Sequence, residues 1–434
     1  MRLHRCLPLA LAVLVAPGCG PDRPAPPDPG RLDPVARRYV ILGLNLGKHD
    51  PNYVDAYYGP DSLRSAAEAE SLSVAEVRAG AESLIAVLGD SVPAYADSLI
   101  GRRHRSLRVQ LGSMATRARM LSGERLTFDE EAKALYDVVP PHYGDAHFDS
   151  LLAQLDGILP GRGSLADRYQ RFRNHLMIPA ARVDTVFKTA VAACRARTQA
   201  HTALPPGERF DLEYVKDTPW NAYNWYQGGY RSVIQVNLDF PVPLDKAVDL
   251  ACHEGYPGHH VYNATLEQAL VRERGWTEFS MYPLFSPLSL IAEGTANFGI
   301  DMAFPPAERV AFERDSLFPL AELDPSLAEL NAEVRQILLS LNYARNEVAR
   351  RYLDGELDPA AARAAMQRYW LITPEEAAKN LRFIDTYRSY VINYNLGRDL
   401  VAAWVERTAA GAPGARWSAF RALLSEPHLP RELQ

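Results

Sequence analysis

The chain has 434 residues, of which 47% are hydrophobic, and a formal net charge of -6 at pH 7. That length and composition suffice for one large or two medium globular domains with a sizeable core. The charge is mildly negative and shows no strong clustering of Lys and Arg, which argues against nucleic acid as the main partner because phosphate binding needs a basic surface.

The first 19 residues have the layout of a secretory signal peptide. Arg2 and Arg5 make a basic start, and residues 7–15 form an apolar run too short to span a bilayer permanently. The run ends in Ala-Pro-Gly-Cys at residues 16–19, where small residues before a cysteine resemble the processing site of bacterial lipoproteins. We therefore expect export and favour a lipoprotein anchored through acylated Cys19, facing the periplasm or the cell exterior, over plain secretion with cleavage nearby.

The next stretch separates this leader from a long helical region. Residues 20–34 are rich in Pro, Gly and Asp, a composition that cannot bury a core and indicates an extended tether. From residue 35 to residue 434 we expect a single, mainly α-helical domain. Its first half shows apolar residues at helical spacing over residues 37–46, 74–88, 95–121, 128–138 and 182–198.

The pattern changes between residues 210 and 243. Residues 211–215 and 232–238 have strand character, and the second segment alternates polar and apolar side chains most clearly. An aromatic stretch, residues 221–230, separates them. We predict a small antiparallel β element beside a helix that begins near Leu244. Helical patterns then resume at residues 288–302, 327–353, 359–369 and 374–390, in a segment reaching residue 405, and at residues 417–424.

Residues 252–260, Cys-His-Glu-Gly-Tyr-Pro-Gly-His-His, hold the densest group of reactive side chains. Imidazole nitrogens and carboxylate oxygens are zinc ligands, and a glutamate beside a ligating histidine, such as Glu254 beside His253, can act as a general base. A single histidine at a helix end is usually a satisfied polar side chain. Three histidines beside a glutamate favour a metal site.

The spacing of these histidines does not suit a regular helix. The usual zinc helix carries His-Glu-x-x-His, but the fourth position after His253 is Pro257. On a straight helix His259 would point to the opposite side, whereas His260 would share the face but lie roughly 10 Å away. Proline removes a backbone donor and glycine tolerates unusual dihedrals, so a two-residue bulge at Pro257 and Gly258 could return His259 to the metal. The residues alone leave His259 and His260 open.

The third ligand is expected on a separate helix. Glu293 lies in an apolar helical pattern that predicts burial, and a buried carboxylate needs a partner. Small residues follow it and permit close helix contact. Asn297 and Asp301 share its face at four-residue spacing, and Asp249 lies one turn before His253, so all three are candidates for orienting the ligands.

The motif His-Glu-Gly-Tyr-Pro-Gly-His-His resembles the signature of the bacterial family called domain of unknown function 885. Members of that family are similar to helical zinc metallopeptidases of the carboxypeptidase Taq and angiotensin-converting enzyme type. The family carries a later Glu-Gly-Trp-Ala, which appears here at residues 293–296 as Glu-Gly-Thr-Ala. The resemblance implies a large helical metallopeptidase-like domain with a central cleft, in which His253, His259 and Glu293 hold Zn(2+) and Glu254 is the base.

The family also has a tyrosine in a Tyr-x-x-Gly context near its carboxyl terminus. Residues 394–397, Tyr-Asn-Leu-Gly, match it. Such a tyrosine could donate a hydrogen bond to the oxyanion of the tetrahedral intermediate. The Pro-Gly-Gln expected upstream is absent and Arg-Ser-Tyr stands in that region, so Tyr390 is the alternative to Tyr394.

Together these residues predict zinc-dependent hydrolysis of peptide bonds in a peptide or small protein substrate. A zinc amidase or esterase would use the same site, and a non-catalytic surface binding protein could keep the same fold. The chain has no Gly-x-Ser-x-Gly elbow, which counts against a serine hydrolase. Arg231 or Arg398 could bind a substrate carboxylate, although each is more typical of a surface or structural arginine.

The four cysteines fall into two pairs. Cys6 and Cys19 lie in the predicted leader. Cys194 and Cys252 could form a disulfide only if the fold brings them together, and we expect instead two unpaired, buried cysteines in helices. The thiolate of Cys252 would point away from the ligand direction of the next residue and is not expected to bind the metal.

Overall fold

The computed structural model describes residues 29–218, 220, 222–239, 241–412 and 414–434. The predicted signal peptide, with Cys19, and most of the predicted tether lie outside these ranges. Within them the chain is mainly α-helical with two small sheets, which confirms the expected fold class. Within the same ranges no helix has the length and hydropathy of a membrane span.

The amino-terminal half is built from helices whose apolar faces share one core. Their bounds are α1 (Leu32–His49), α2 (Asp61–Glu70), α3 (Val74–Leu88), α4 (Ser98–Leu121), α5 (Phe128–Tyr136), α6 (Asp145–Ile158), α7 (Leu165–Asn174) and α8 (Val183–Gln199). The local sequence determines where several of these helices begin. Ser73 and Thr127 open α3 and α5 in capping boxes, each with a glutamate three residues later.

Two small sheets lie among these helices. The first pairs β1 (Val54–Tyr57) with β5 (Met281–Pro283) in antiparallel fashion. The second contains β2 (Arg209–Val215), β3 (Ala222–Gly228) and β4 (Arg231–Asn237), with β4 in the middle. The two strands predicted at residues 211–215 and 232–238 are β2 and β4, which pair in parallel. The antiparallel partner of β4 is β3, which lies in the aromatic stretch predicted to separate them.

The carboxyl-terminal half is again helical. Its bounds are α9 (Leu244–Leu250), α10 (His259–Leu266), α11 (Pro287–Ala303), α12 (Pro306–Phe312), α13 (Phe318–Leu320), α14 (Ala328–Leu341), α15 (Ala344–Leu353), α16 (Pro359–Trp370), α17 (Pro374–Tyr387), α18 (Ile392–Ala409) and α19 (Ala415–Ser425). π-Helical segments at Ala251–Gly255, Glu267–Arg272 and Glu313–Leu317 extend α9, α10 and α12. The single helix predicted over residues 327–353 is divided between α14 and α15.

Helix α11 lies at the centre of the fold. It packs along α18 and also contacts α10, α19 and the π-helical segment after α9. At its crossing with α18, a Cβ added to Gly294 would lie 2.4 Å from the carbonyl oxygen of Gly397. The close approach predicted for the residues after Glu293 is therefore present, and it needs glycine because no side chain fits between the two backbones.

A disulfide bond joins Cys194 of α8 to Cys252 of the π-helical segment, with the two Cα atoms 5.7 Å apart. The expectation of two unpaired cysteines is wrong. Helix α8 packs directly against the π-helical segment and brings the two buried side chains together. Because 58 positions separate the cysteines along the chain, nothing local to either one indicates the pairing. The bond ties the segment that carries His253 to α8.

Candidate metal centre

The helix that starts as α9 widens where the metal-binding motif begins. In the π-helical segment Ala251–Gly255 the amide of Tyr256 donates to the carbonyl of Ala251, five residues earlier, at 3.2 Å. A cis peptide bond precedes Pro257, and α10 then starts afresh at His259. The predicted departure from a regular helix is therefore present, but as a widened turn at Ala251–Gly255 followed by a chain reversal, and not as a two-residue bulge at Pro257 and Gly258. π-Helical turns of this kind are often found at functional sites.

Gly258 is the point at which this reversal brings the chain closest to its own backbone. A Cβ there would lie 1.8 Å from the carbonyl oxygen of His253 and 2.4 Å from that of Cys252. Its amide donates to the Cys252 carbonyl at 2.9 Å. The reversal that redirects His259 consequently depends on glycine at this position.

The side chains of His253, His259 and Glu293 converge on one point. Their candidate ligand atoms all lie within 4.8 Å of one another. Nε2 of His253 is 3.4 Å, and Nε2 of His259 is 3.7 Å, from Oε2 of Glu293. Two atoms that each lie about 2.0–2.1 Å from a tetrahedral zinc ion are about 3.3 Å apart, and the two histidine–glutamate distances lie close to that value.

The two carboxylate oxygens of Glu293 have different surroundings. Oε1 accepts a hydrogen bond from the hydroxyl of Tyr390 at 2.9 Å. Oε2 is buried and accepts none within the part of the chain that the structure describes. Its nearest partners are the imidazole nitrogens of His253 and His259, neither of which makes an ordinary hydrogen bond to it, and a cation between the three groups would satisfy this buried oxygen directly. The residues present therefore fit a divalent metal ion.

The charges of the cluster influence one another. Burial alone would raise the pKa of Glu293, but His259 and His253 hold it well below its usual range. Burial alone would lower the pKa of His259, but the carboxylates of Glu293, Glu254 and Asp55 outweigh it and raise that pKa to about 9. Without a cation, a proton on His259 thus balances the negative charge around it.

Glu254 faces the same point. Its Oε1 lies 4.0 Å from Nε2 of His253, and burial raises the pKa of its carboxyl group. A raised pKa brings a carboxylate closer to the range in which it exchanges protons near neutral pH. Asn224 of β3 donates to the backbone carbonyl of Glu254 at 2.7 Å, so the sheet holds the segment on which this group is mounted.

Sequence reasoning missed Asp55, a carboxylate that lies close to the cluster. Burial, together with Glu293 and Glu254 and against the opposing charge of His259, raises the pKa of Asp55 to about 7. The residue belongs to β1, and the pairing of β1 with β5, just before α11, carries it to the site. An acidic residue in a short strand far upstream of the motif gives no spacing signal that could have identified it.

His260 belongs to a different polar group. It is fully buried, with Nε2 2.9 Å from a carboxylate oxygen of Glu208 and Nδ1 2.9 Å from the hydroxyl of Ser232. The hydroxyl of Tyr256 donates to the same carboxylate oxygen at 2.6 Å, and Arg195 pairs with the other one. With both ring nitrogens engaged, His260 has a structural role, and the arrangement disfavours it as the alternative second ligand.

The two candidate tyrosines are adjacent to each other. The ring centroids of Tyr390 and Tyr394 are 5.8 Å apart. The Tyr390 hydroxyl donates to Glu293, so its proton is committed there. Burial and the charge of Glu293 raise the pKa of Tyr394, which keeps that hydroxyl protonated. Both tyrosines therefore lie near the cluster, but the hydroxyl of Tyr390 is already used in its hydrogen bond to Glu293.

The residues expected to orient the ligands bind backbone groups or other charged side chains. Asn297 donates to the backbone carbonyl of Glu293, one turn earlier in its own helix, at 3.0 Å. Asp301 accepts from Arg398 at 2.5 Å. Asp249 lies 2.8 Å from Arg309 in an ion pair. These contacts support helix packing rather than the histidines.

Comparison with known proteins gives information on the fold alone. No protein-family model matches the chain, and no curated protein matches it by sequence. A candidate lipoprotein from Colwellia psychrerythraea has a similar fold, with a TM-score of 0.54 and 16% identity over 83% of this chain and 68% of that protein. An M32 carboxypeptidase from Deinococcus radiodurans R1 is 16% identical over 91% of this chain and 90% of that protein, but its TM-score of 0.40 is too low to carry an argument.

Proposed function

We propose that the protein is a zinc-dependent peptidase in which His253, His259 and Glu293 hold the ion and Glu254 is the general base. The observation that carries this proposal is the convergence of two imidazole nitrogens, 3.4 Å and 3.7 Å away, on the buried Oε2 of Glu293, which has no ordinary hydrogen bond to either of them. Three protein ligands leave the fourth position of a tetrahedral ion open, which is typical of catalytic zinc sites and not of structural ones.

The surrounding residues can supply the proton transfers that amide hydrolysis requires. A zinc ion held by His253, His259 and Glu293 would lower the pKa of a water molecule from about 15.7 to about 7 and would polarise a carbonyl group. Glu254 accepts a proton from the attacking water and then passes it to the leaving amine. Tyr394 donates a hydrogen bond to the developing oxyanion, while Tyr390 orients Glu293 through its hydrogen bond.

We also infer that the protein acts outside the cytoplasm, as the leader predicts. The disulfide between Cys194 and Cys252 supports this inference, because disulfides persist in oxidising compartments and are rare in the cytosol. Acylation of Cys19, which would anchor the domain to a membrane, remains a prediction from the sequence.

The test measures zinc and hydrolysis in the same preparations. We expect one zinc per chain in the parent and in the control His142→Ala, whose histidine is exposed on the surface, and none in His253→Ala or His259→Ala. Glu254→Gln should keep its zinc and lose hydrolysis of a mixed peptide library by about 10²–10⁴-fold. If the parent binds no zinc when it is offered, or if Glu254→Gln hydrolyses normally, the proposal is wrong.

A further inference from the structure

A buried carboxylate that takes no part in the proposed mechanism lies on α5. The side chain of Glu131 is only 1% exposed. Its Oε2 accepts a hydrogen bond from Nε of Arg388 at 2.6 Å. Its Oε1 accepts two more from Ser389, from the backbone amide at 3.1 Å and from the hydroxyl at 2.6 Å. Because these donors belong to two consecutive residues, they replace the lost hydration of the charge and hold one turn of the chain in place.

The turn that Glu131 binds connects α17 to α18 and has an unfavourable backbone conformation. Arg388 follows the last residue of α17 with φ 51° and ψ -123°, a combination that residues with a Cβ rarely adopt. A short 3-10 helix, Arg388–Val391, then leads into α18. Such a conformation persists only where the surrounding contacts enforce it. The ion pair with Arg388 and the two hydrogen bonds to Ser389 are contacts of that kind.

The residue after this turn is in direct contact with a candidate metal ligand. Tyr390 is 5% exposed, and its hydroxyl donates to Oε1 of Glu293 at 2.9 Å. The other oxygen, Oε2, is the one that lies near the two imidazole nitrogens. The hydrogen bond from Tyr390 therefore fixes the rotation of the carboxylate, and the position of Tyr390 follows from the turn that Glu131 holds.

Helix α5 also restricts Tyr390 at a second point. The ring of Tyr136, which is fully buried, meets the ring of Tyr390 edge to face, with the centroids 6.2 Å apart and the planes at 78°. Edge-to-face packing favours one orientation of a ring over its alternatives. With its ring packed on Tyr136 and the preceding turn bound by Glu131, the phenol has little freedom to leave Glu293.

The contacts of Glu131 involve residues at which the chain departs from the family it resembles. Pro-Gly-Gln is expected in this region, whereas residues 388–390 are Arg-Ser-Tyr. Proline and glycine have neither the guanidinium nor the hydroxyl that bind Glu131 here. The carboxylate at position 131 thus matches side chains that are particular to this chain.

We propose that Glu131 is a positioning residue for the metal centre, which acts through the Arg388–Ser389 turn and Tyr390 to orient Glu293. The inference rests on the proposed function, in which Glu293 is a zinc ligand. Partners that orient a ligand contribute to metal affinity although they never touch the ion. Zinc affinity should therefore depend on a carboxylate that is separated from Glu293 by the turn and by Tyr390.

A double-mutant cycle tests whether the effect of Glu131 passes through Tyr390. Zinc affinity of the full chain is measured by competition with a chromophoric chelator. We expect Glu131→Gln and Tyr390→Phe each to weaken zinc binding by about 10–100-fold. The double variant should bind zinc no more weakly than Tyr390→Phe alone, because the hydroxyl through which Glu131 acts is already absent.

An equally buried carboxylate elsewhere provides the matched control. Glu278 has a side chain that is 0% exposed, and it accepts hydrogen bonds from Arg103 at 2.6 Å and 3.1 Å. Glu278→Gln should lower stability, leave zinc affinity unchanged and add independently to Tyr390→Phe. If Glu131→Gln does not fold, Ser389→Ala removes one of the three hydrogen bonds of Glu131, and its smaller loss of zinc affinity should likewise vanish when Tyr390 is replaced.

The urea midpoints of the metal-free proteins give a second readout that does not need zinc. Glu131→Gln and Tyr390→Phe should shift the midpoint non-additively, whereas Glu278→Gln and Tyr390→Phe should shift it additively. Unchanged zinc affinity in folded Glu131→Gln, or additive losses in the cycle with Tyr390→Phe, would overturn the role of Glu131 even if the parent hydrolyses peptides. If the parent binds no zinc, the proposed function fails, and the midpoints decide whether Glu131 still orients Glu293: non-additive shifts support it and additive shifts overturn it.

Discussion

At Gly258 the backbone passes so close to the carbonyls of His253 and Cys252 that a side chain cannot be placed there. Gly258→Ala should therefore shift His259 away from the cluster. We expect loss of zinc binding and a decrease of about 1–3 kcal/mol, or more, in the free energy of unfolding. Zinc content and urea denaturation measure the two effects.

A glycine without such contacts provides the control for that substitution. A Cβ on Gly112, within α4, would meet nothing within 4 Å. Gly112→Ala should keep its zinc and become more stable, by up to about 1 kcal/mol, because alanine favours a helix. If Gly258→Ala behaved in the same way, the reversal would not depend on glycine.

The raised pKa of His259 makes zinc binding dependent on pH. Burial opposes its charge, but nearby carboxylates raise the pKa to about 9, so the metal-free protein carries a proton there at neutral pH. Zinc needs the neutral imidazole, so the ion must displace this proton. Zinc affinity should therefore rise about tenfold per pH unit until the pH reaches about 9 and then level off.

Calorimetry can count the displaced proton directly. Titrating zinc into the metal-free protein at neutral pH, in buffers with different ionisation enthalpies, should report release of at least one proton per ion, from His259 and in part from Asp55, whose pKa is raised to about 7. The substitution His142→Ala removes an exposed histidine away from the cluster and should give the same count. An affinity that stayed constant from neutral pH upward would contradict the protonated state of His259.

At the scale of elements, the disulfide joins α8 to the π-helical segment that presents His253 and Glu254. Replacing Cys194 and Cys252 together by alanine should lower the free energy of unfolding by about 2–4 kcal/mol, because the unfolded chain regains its freedom. Zinc should also bind more weakly, since one anchor of the segment is lost. Reduction of the parent should produce the same two changes, and unchanged zinc affinity in both would show that packing alone positions the segment.

Helix periodicity in the sequence predicts elements well but cannot predict where tertiary contacts interrupt them. The pattern over residues 327–353 is continuous, yet the helix breaks between α14 and α15. At the break, the carbonyl of Asn342 accepts from the amide of Arg345 and from the side chain of Asn395. The second donor comes from α18, which is distant in sequence, so the interruption is decided by the fold.

For the molecule as a whole, the parts of the site that sequence could predict are those encoded within short stretches. His253, Glu254 and His259 share one motif, and Glu293 lies in a helix with unusually apolar surroundings. The spacing of the motif also showed that the chain must depart from a regular helix. That this departure is a π-helical turn could not be predicted from the spacing alone.

The remaining contributors become neighbours only in the folded molecule. Asp55 arrives through the pairing of β1 with β5. In the sequence it is an isolated acid far upstream of the motif. Cys194 is likewise unremarkable until α8 packs against Cys252. Long-range pairing of this kind leaves no local pattern to interpret.

The bond between Cys194 and Cys252 also affects when the metal site can be completed after synthesis of the chain. Newly made chains meet a reducing cytosol, in which this bond does not persist. On the proposed export, the segment with His253 lacks its covalent anchor until the chain has been translocated. Tight zinc binding, and with it the proposed hydrolysis of peptides, is then expected only after the chain has left the cytosol.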